Sequence, residues 1–368
     1  MDLVHTWTCD RGASRVMLRP ENARMSTPAL AYSVRDRSIL LPYYKRFLVE
    51  PLIPAIPARI SPNSITHGGH LINLLALVVL VAASGRMDSG WPFFLVPVLV
   101  HVWLWCDHAD GGHARRTGQC SALGEFLDHG LDLLNATYVI CMTVVALGTP
   151  PFWSVTAAVV VPAAAAITYW EQAETGVFQL GLLNQIESVC SLSVALIARG
   201  IFGVAAIAGI RVGPWPLPDF ILALVSIVAF FGILRCAMRV RQKEGRVKPF
   251  VPPFLFGAAV TVAAATGALG TLPAILAGAS VFVFIGVCQL NHRIRGERPQ
   301  VSVGVLVAGV VVLGCTGYRT RVGVLPPVLE WGTAGMLTLV FGGLALMRGI
   351  DGHRAVDALD RAKISAAT

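Results

Sequence analysis

Asp107-His-Ala-Asp110-Gly111-Gly-His-Ala114-Arg115 is followed, after eight residues, by Gly124-Glu125-Phe-Leu-Asp128-His129-Gly-Leu-Asp132. Four aspartates, a glutamate and an arginine thus stand between two strongly apolar segments. On a helix, Asp107 and Asp110 share a face at i,i+3, and Asp128 and Asp132 share one at i,i+4. Two such helices facing each other can converge four carboxylates on one point. At an effective dielectric of about 20, each pair about 4 Å apart repels by about 4 kcal/mol, so a cation is needed there. Charged side chains close to a bilayer are rare and usually functional. Oxygen-only ligands select Mg²⁺, Mn²⁺ or Ca²⁺ over zinc. Two dications balance four aspartates and leave Arg115 to meet an anionic substrate such as a diphosphate. Gly111, Ala114 and Gly124 supply the small side chains that let a bulky substrate approach the backbone.

The rest of the chain places this stretch in a membrane. Its 368 residues are 55% hydrophobic, with a mean hydropathy of +0.67. Apolar runs recur with loop signals between them, which predicts an all-α, polytopic helical membrane protein of about ten transmembrane helices. The expected spans are Ile65–Ser84, Trp91–Cys106, Phe126–Leu147, Phe152–Tyr169, Leu182–Ala198, Phe220–Met238, Pro253–Leu269, Leu272–Leu290, Val301–Cys315 and Trp331–Leu346. A further run, Ile201–Ile210, is too short to span and reads as interfacial. With both termini cytoplasmic, only Arg86, Arg199, Arg211, Arg319 and Arg321 of the 29 Lys and Arg fall outside. That asymmetry obeys the positive-inside rule and puts the acidic motif on the cytoplasmic side. The net charge of +8 then reads as topology and contact with anionic membrane lipids, not nucleic-acid binding. The eight cysteines are scattered with no C-x-x-C pair, so neither a disulfide framework nor a zinc site is indicated. No cleavable signal peptide is expected in the first 40 residues. Arginine far exceeds lysine and alanine and valine abound, which favours a bacterial inner membrane over the endoplasmic reticulum.

Four regions follow: a cytoplasmic N-terminal segment (1–60), a six-span core (61–240), a four-span region (250–350) and a cytoplasmic tail (351–368). Ser38 to Pro57 is apolar and aromatic with Lys45 and Arg46 interleaved, which predicts an amphipathic helix lying in the membrane interface. Glu125 and His129 stand at i,i+4, interleaved with Asp128 and Asp132. This pattern fits a division of labour in which aspartates hold metal and His129, oriented by Glu125, moves a proton. The alternative for His129 is a residue hydrogen-bonded behind a metal-binding carboxylate. His108 and His113 read as facing the cytosol. The stretch from Trp170 to Glu187 has three glutamates and no Lys or Arg, a composition suited to an ammonium headgroup or to an ordinary solvated loop. The basic loop Arg235–Lys248 is expected to touch lipid phosphates. Gly and Ala in the last four spans suit close helix packing or a homodimer contact.

The pattern D-x2-D-G-x2-A-R-x8-G-x3-D-x3-D resembles the signature of the CDP-alcohol phosphotransferase family at all eight fixed positions. The wording D-G-x2-A-R-R-T and G-E-x2-D-H-G-x-D, and W-x4-T-G-x7-N-x2-E from Trp170 to Glu187, resembles its choline/ethanolamine branch. The resemblance covers about residues 38 to 190, and the number of spans also fits that branch. It implies that Asp107, Asp110, Asp128 and Asp132 bind two Mg²⁺ or Mn²⁺ ions around a diphosphate. Asn63, in the Pro62-Asn63-Ser-Ile65-Thr66 turn, would lie with Gly111, Ala114, Arg115 and Gly124 at the nucleotide and phosphates. Trp170, Glu171 and Glu187 would face the headgroup. His129 is then the base, helped by Glu125, and Asp132 is the rival base, as usually assigned in the wider family. The implied reaction moves phosphocholine or phosphoethanolamine from a CDP-alcohol to a diacylglycerol-like lipid and releases CMP. One alternative reverses the roles, with CDP-diacylglycerol as donor and a soluble alcohol as acceptor. A non-enzyme alternative is a cation transporter, against which Arg115 and the tightly placed glycines argue.

Overall fold

The apolar runs fold as helices. The computed structural model describes residues 3–7, 32–149, 151–181, 184–243, 250–295 and 302–367. Its first six long helices are α2 (Pro62–Ser84), α3 (Pro92–Thr117), α4 (Ala122–Leu147), α5 (Pro151–Thr175), α6 (Gln185–Gly209) and α7 (Leu217–Gln242). They are followed by α8 (Val251–Ala265), α9 (Thr271–Arg295), α10 (Ser302–Val322) and α11 (Pro327–Ala367). Among the described residues, nine of these helices are long and apolar enough to cross a membrane. The exception is α8, whose 15 residues reach only ~22 Å at 1.5 Å per residue. The chain is a polytopic helical membrane protein, with nine long helices and one short apolar one standing where about ten spans were expected.

Three details depart from the sequence expectation. The run Ile201–Ile210 is not separate: α6 carries it to Gly209 across a break at Gly203, whose φ of 76° lies in the left-handed region. The tail beyond residue 350 continues α11 as helix to Ala367. A small sheet also accompanies the helices. Strand β1 (Leu3–Trp7) pairs antiparallel with β2 (Tyr32–Asp36), and β2 pairs parallel with β3 (Val177–Leu180), in the order β1-β2-β3. The basic loop expected from Arg235 to Lys248 falls partly outside the described residues.

The interfacial segment is not one regular helix. It comprises α1 (Leu41–Tyr44), a π-turn over Lys45–Val49 and a 3₁₀ turn over Ile53–Ala55. Two prolines, Pro42 and Pro54, stand at the starts of helical turns, and Pro51 and Pro57 interrupt continuation. Tyr44 and Val49 are buried against the bundle, while Ile39, Tyr43, Phe47 and Leu48 are exposed. That division is what an element lying in an apolar interface requires.

Two apolar cores position the site. One joins α2, α3, α4 and α6 through Leu80, Phe93, Trp103, Met142, Ile186 and Leu192. The other joins α4 and α5 to α8, α9, α10 and α11 through Leu147, Val159, Phe256, Phe282, Val312 and Phe341. Helix α4 belongs to both through its apolar second half, while Ala122, Phe126 and Leu133 of its polar half pack in a third cluster with Tyr169, Leu290 and Val356.

Candidate active site

The acidic motif lies at the end of α3 and the start of α4, not in a loop. Helix α3 runs past the expected boundary at Cys106 to Thr117 and stops at Gly118, whose φ of 68° is the left-handed geometry that glycine adopts readily. The Gln119 N–H bonds to the Ala114 carbonyl at 2.9 Å, closing the helix end. Ser121 then caps α4, its hydroxyl accepting from the Gly124 N–H at 3.0 Å. A tight return of this kind lets both carboxylate faces meet.

They do meet. One carboxylate oxygen from each of Asp107, Asp128 and Asp132 lies within 4.8 Å of the others. Asp110 is buried beside them and acts electrostatically on both Asp128 and Asp132. Its Oδ2 accepts from the Thr66 hydroxyl at 2.6 Å, tying the start of α2 into the cluster. Asp132 Oδ1 is buried without a hydrogen-bond donor. A buried, donor-less carboxylate oxygen among other carboxylates has one economical partner, a hard cation. The donor set therefore fits the divalent metal that the sequence requires.

A polar ladder supports the cluster. Oδ1 of the buried Asn135 accepts from Nδ2 of Asn73 at 3.0 Å and meets Nδ1 of His70 at 3.1 Å, and Asn135 also reaches Asp132. With its oxygen occupied, the Asn135 amide is left to serve the carboxylate. The motif reading missed Asn135. Its signal was available: it stands one turn after Asp132 and two turns after Asp128, on the same helical face.

Two of the motif's small residues stand close to polar side chains. A Cβ on Gly124 would stand 3.1 Å from Asn63 Oδ1, and one on Gly111 would stand 3.4 Å from an Arg115 guanidinium nitrogen. Asn63 and Gly124 are thus brought together, and Arg115 lies along Gly111 on the exposed end of α3. Ala114 is buried. His108 is half-buried, with Nδ1 4.0 Å from the Asp107 carboxylate. His113 does not face the cytosol. It is fully buried, and its Nε2 meets the Ile60 carbonyl at 2.8 Å. Together with Arg116 on Ile56 and Gln119 on Ala58, it fastens the linker into α2.

His129 is buried on α4 against two aromatic rings. Phe178 of β3 stacks on it at 5.4 Å and 20°, and Tyr169 of α5 lies at 5.4 Å and 51°. The sheet accounts for the Phe178 position, since Val34 of β2 pairs with Phe178. Glu125, expected to orient His129, is ion-paired with Arg293 of α9 at 2.6 Å.

The three residues expected at a headgroup are engaged elsewhere. Glu171 is fully buried and bound through both carboxylate oxygens by Arg239 of α7, so its charge is already neutralised. Trp170 is buried against Phe250, with ring centroids 3.4 Å apart. Glu187 completes a capping box with Asn184 at the start of α6. It also accepts from the Ser38 hydroxyl (2.7 Å) and from the Ile39 (2.9 Å) and Leu40 (3.0 Å) amides. These contacts tie Glu171 to α7, Trp170 to Phe250 and Glu187 to residues 38–40.

Residues 59–231 match the CDP-alcohol phosphatidyltransferase family. The chain is similar to cholinephosphotransferase 1 of Gallus gallus, 30% identical over 182 residues that make up 47% of this chain and 53% of the relative. Cholinephosphotransferase 1 of Xenopus laevis is 31% identical over 180 residues, 47% of this chain and 44% of the relative. That of Homo sapiens is 26% identical over 208 residues, 55% of this chain and 50% of the relative. The chain spans about half the length of the curated relatives it matches. These relatives fall on the choline/ethanolamine side of the family that the sequence resembles. The matched segment contains Asn63, the four aspartates, Arg115 and His129, and it ends before α8.

Proposed function

We propose that this protein is a membrane CDP-alcohol phosphotransferase that moves a phospho-alcohol group, phosphocholine or phosphoethanolamine, from its CDP ester to the hydroxyl of a diacylglycerol-like lipid. The observation that carries the reading is the convergence of Asp107, Asp128 and Asp132 within 4.8 Å, with Asp132 Oδ1 lacking a donor. Asp107, Asp110, Asp128 and Asp132 would hold two Mg²⁺ or Mn²⁺ ions. Such ions, when bound, neutralise the diphosphate and the charge that develops on departing CMP. Arg115, at the exposed end of α3 beside Gly111, offers a guanidinium to the phosphates. Gly124 leaves space beside Asn63 for the nucleotide. His129 takes the proton of the acceptor hydroxyl while its oxygen bonds to the phosphorus of the phospho-alcohol. The bond from that phosphorus to CMP breaks, and CMP leaves with the electron pair.

The positive-inside asymmetry supports a site facing the cytoplasm, and the arginine-rich composition supports a bacterial inner membrane. The test is CMP release by purified protein in detergent micelles, offered CDP-choline, CDP-ethanolamine, other CDP-alcohols and CDP-diacylglycerol in turn. Release that depends on diacylglycerol, stops with a chelator and returns with Mg²⁺ or Mn²⁺ is the expected result. Release from CDP-diacylglycerol alone would assign the reversed roles, and release from none would remove the transferase reading.

A further inference from the structure

The matched family segment ends at residue 231, yet two charged side chains from beyond it grip the first turn of α4. Asp360 of α11 accepts from the Ala122 N–H at 3.1 Å and from the Leu123 N–H at 3.0 Å. With Ser121 taking the Gly124 N–H, all three of these otherwise orphaned amides at the start of α4 have acceptors. The Asp360 carboxylate also sits where the positive end of the helix dipole favours a negative charge. Arg293 of α9 contributes the second grip, its ion pair with Glu125. A Cβ on Gly352 of α11 would stand 2.5 Å from the Phe126 ring, so only glycine lets α11 approach α4 this closely.

Glu125 stands three residues before Asp128 and four before His129, so these three side chains share one face of the helix. Whatever fixes the first turn of α4 fixes the direction of a metal ligand and of the imidazole. We propose that the C-terminal region is a working part of the transfer site. Arg293 is a positioning residue that acts through Glu125 on the Asp128–His129 face, and Asp360 is a positioning residue that holds the start of α4. The inference rests on reading the carboxylate cluster as a metal-dependent transfer site. It gives the last four helices a task that no motif of their own announces.

The test uses the full chain in detergent, with Arg293→Gln, Arg293→Lys, Asp360→Ala and Asp360→Asn. Arg293→Gln is expected to lower kcat by roughly 10²-fold, the loss that an about 1 Å misplacement brings, with KM for the CDP-alcohol nearly unchanged. Arg293→Lys keeps the charge and should give an intermediate kcat. Asp360→Ala should weaken Mn²⁺ binding, titrated without substrate, by roughly 10-fold, as loss of a ligand's supporting contact does. Asp360→Asn keeps one acceptor oxygen but loses the other and the charge, so it should give an Mn²⁺ affinity between those of the parent and Asp360→Ala. A raised KM with unchanged kcat in Arg293→Gln would mean that Arg293 touches substrate directly, and would overturn its positioning role. Parental kcat in Arg293→Gln together with parental Mn²⁺ affinity in Asp360→Ala would overturn the whole inference. If the parent protein releases CMP from no donor, the transferase reading fails. The Mn²⁺ titration of the Asp360 pair then judges the grip by itself.

Discussion

The Thr66 hydroxyl donates a 2.6 Å hydrogen bond to Oδ2 of Asp110, so the first turn of α2 holds a carboxylate on the last turns of α3. Thr66 belongs to the Pro62-Asn63-Ser-Ile65-Thr66 turn and Asp110 to the acidic motif, 44 residues away. The two stretches are therefore one site.

Thr66→Val keeps the shape of the side chain and removes the donor. Asp110 is buried, and its carboxylate would keep the Gly111 N–H on Oδ1 but lose the donor on Oδ2. Mn²⁺ affinity and CMP release should each fall by roughly 10-fold, within the range for removing a contact behind a metal ligand. Thr66→Ser keeps the donor and should restore both. Normal Mn²⁺ titration of Thr66→Val would show that the bond does not hold Asp110 in place.

The acidic motif and the spans were legible because each is a strong local signal: long apolar runs, and carboxylates at i,i+3 and i,i+4 between them. Contacts made across the chain were not. Nothing near Glu171 announces Arg239, which lies 68 residues later, and nothing near Glu187 announces Ser38. An acidic loop without basic neighbours reads as a cation site until its distant partners are seen. Arg293 and Asp360 were equally silent, since single charges at the end of a span resemble ordinary loop charge. The four-residue strand β3 is too short to show a period, and it exists because β2 arrives beside it.

The Glu171–Arg239 pair separates an anchoring role from a headgroup role. Glu171 is fully buried, whereas Arg239 keeps about a third of its side chain exposed. Arg239→Met leaves a buried carboxylate without its partner. It should destabilise the protein by about 3 kcal/mol, the low end for breaking a buried pair. The double variant Glu171→Gln/Arg239→Met removes both charges and should recover most of that loss in a thermal melt in detergent. Its preference between CDP-choline and CDP-ethanolamine should match the parent's. A changed preference would return Glu171 to the headgroup.

The charge asymmetry and the long α11 make a topological prediction. From its start at Pro327, α11 reaches Gly349 after ~33 Å at 1.5 Å per residue, enough to cross a hydrocarbon core of about 30 Å. Introduced in a background from which the native cysteines have been removed, cysteines at Gly349 and Gly323 should be labelled by a membrane-impermeant reagent from opposite faces, Gly349 from the cytoplasmic one. Labelling of both from the same face would break the arrangement.

His129 and Asp132 compete for the role of base, and the structure sharpens the contest. Asp132 belongs to the carboxylate cluster, and a carboxylate that binds a dication is a poor proton acceptor because the cation stabilises its ionised form. His129 stands on the same helix outside the ligand set, with its ring fixed between Phe178 and Tyr169. A neutral imidazole in that position can take a proton without leaving a metal. His129→Ala is therefore expected to lose roughly 10²–10⁴-fold in kcat, the range for removing a general base. CDP-alcohol binding should survive, because the metal ligands and the Asn63–Gly124 seat are unchanged. Phe178→Ala should lose less than His129→Ala, since it frees the ring without removing it. Glu125→Gln should also lose less, as it weakens only the ion pair that holds the turn. The measurement sets calorimetric binding of CDP-choline beside turnover for each variant. If His129→Ala binds and turns over normally while Asp132→Asn binds metal and donor but cannot react, Asp132 is the base and His129 only fills the space between two rings.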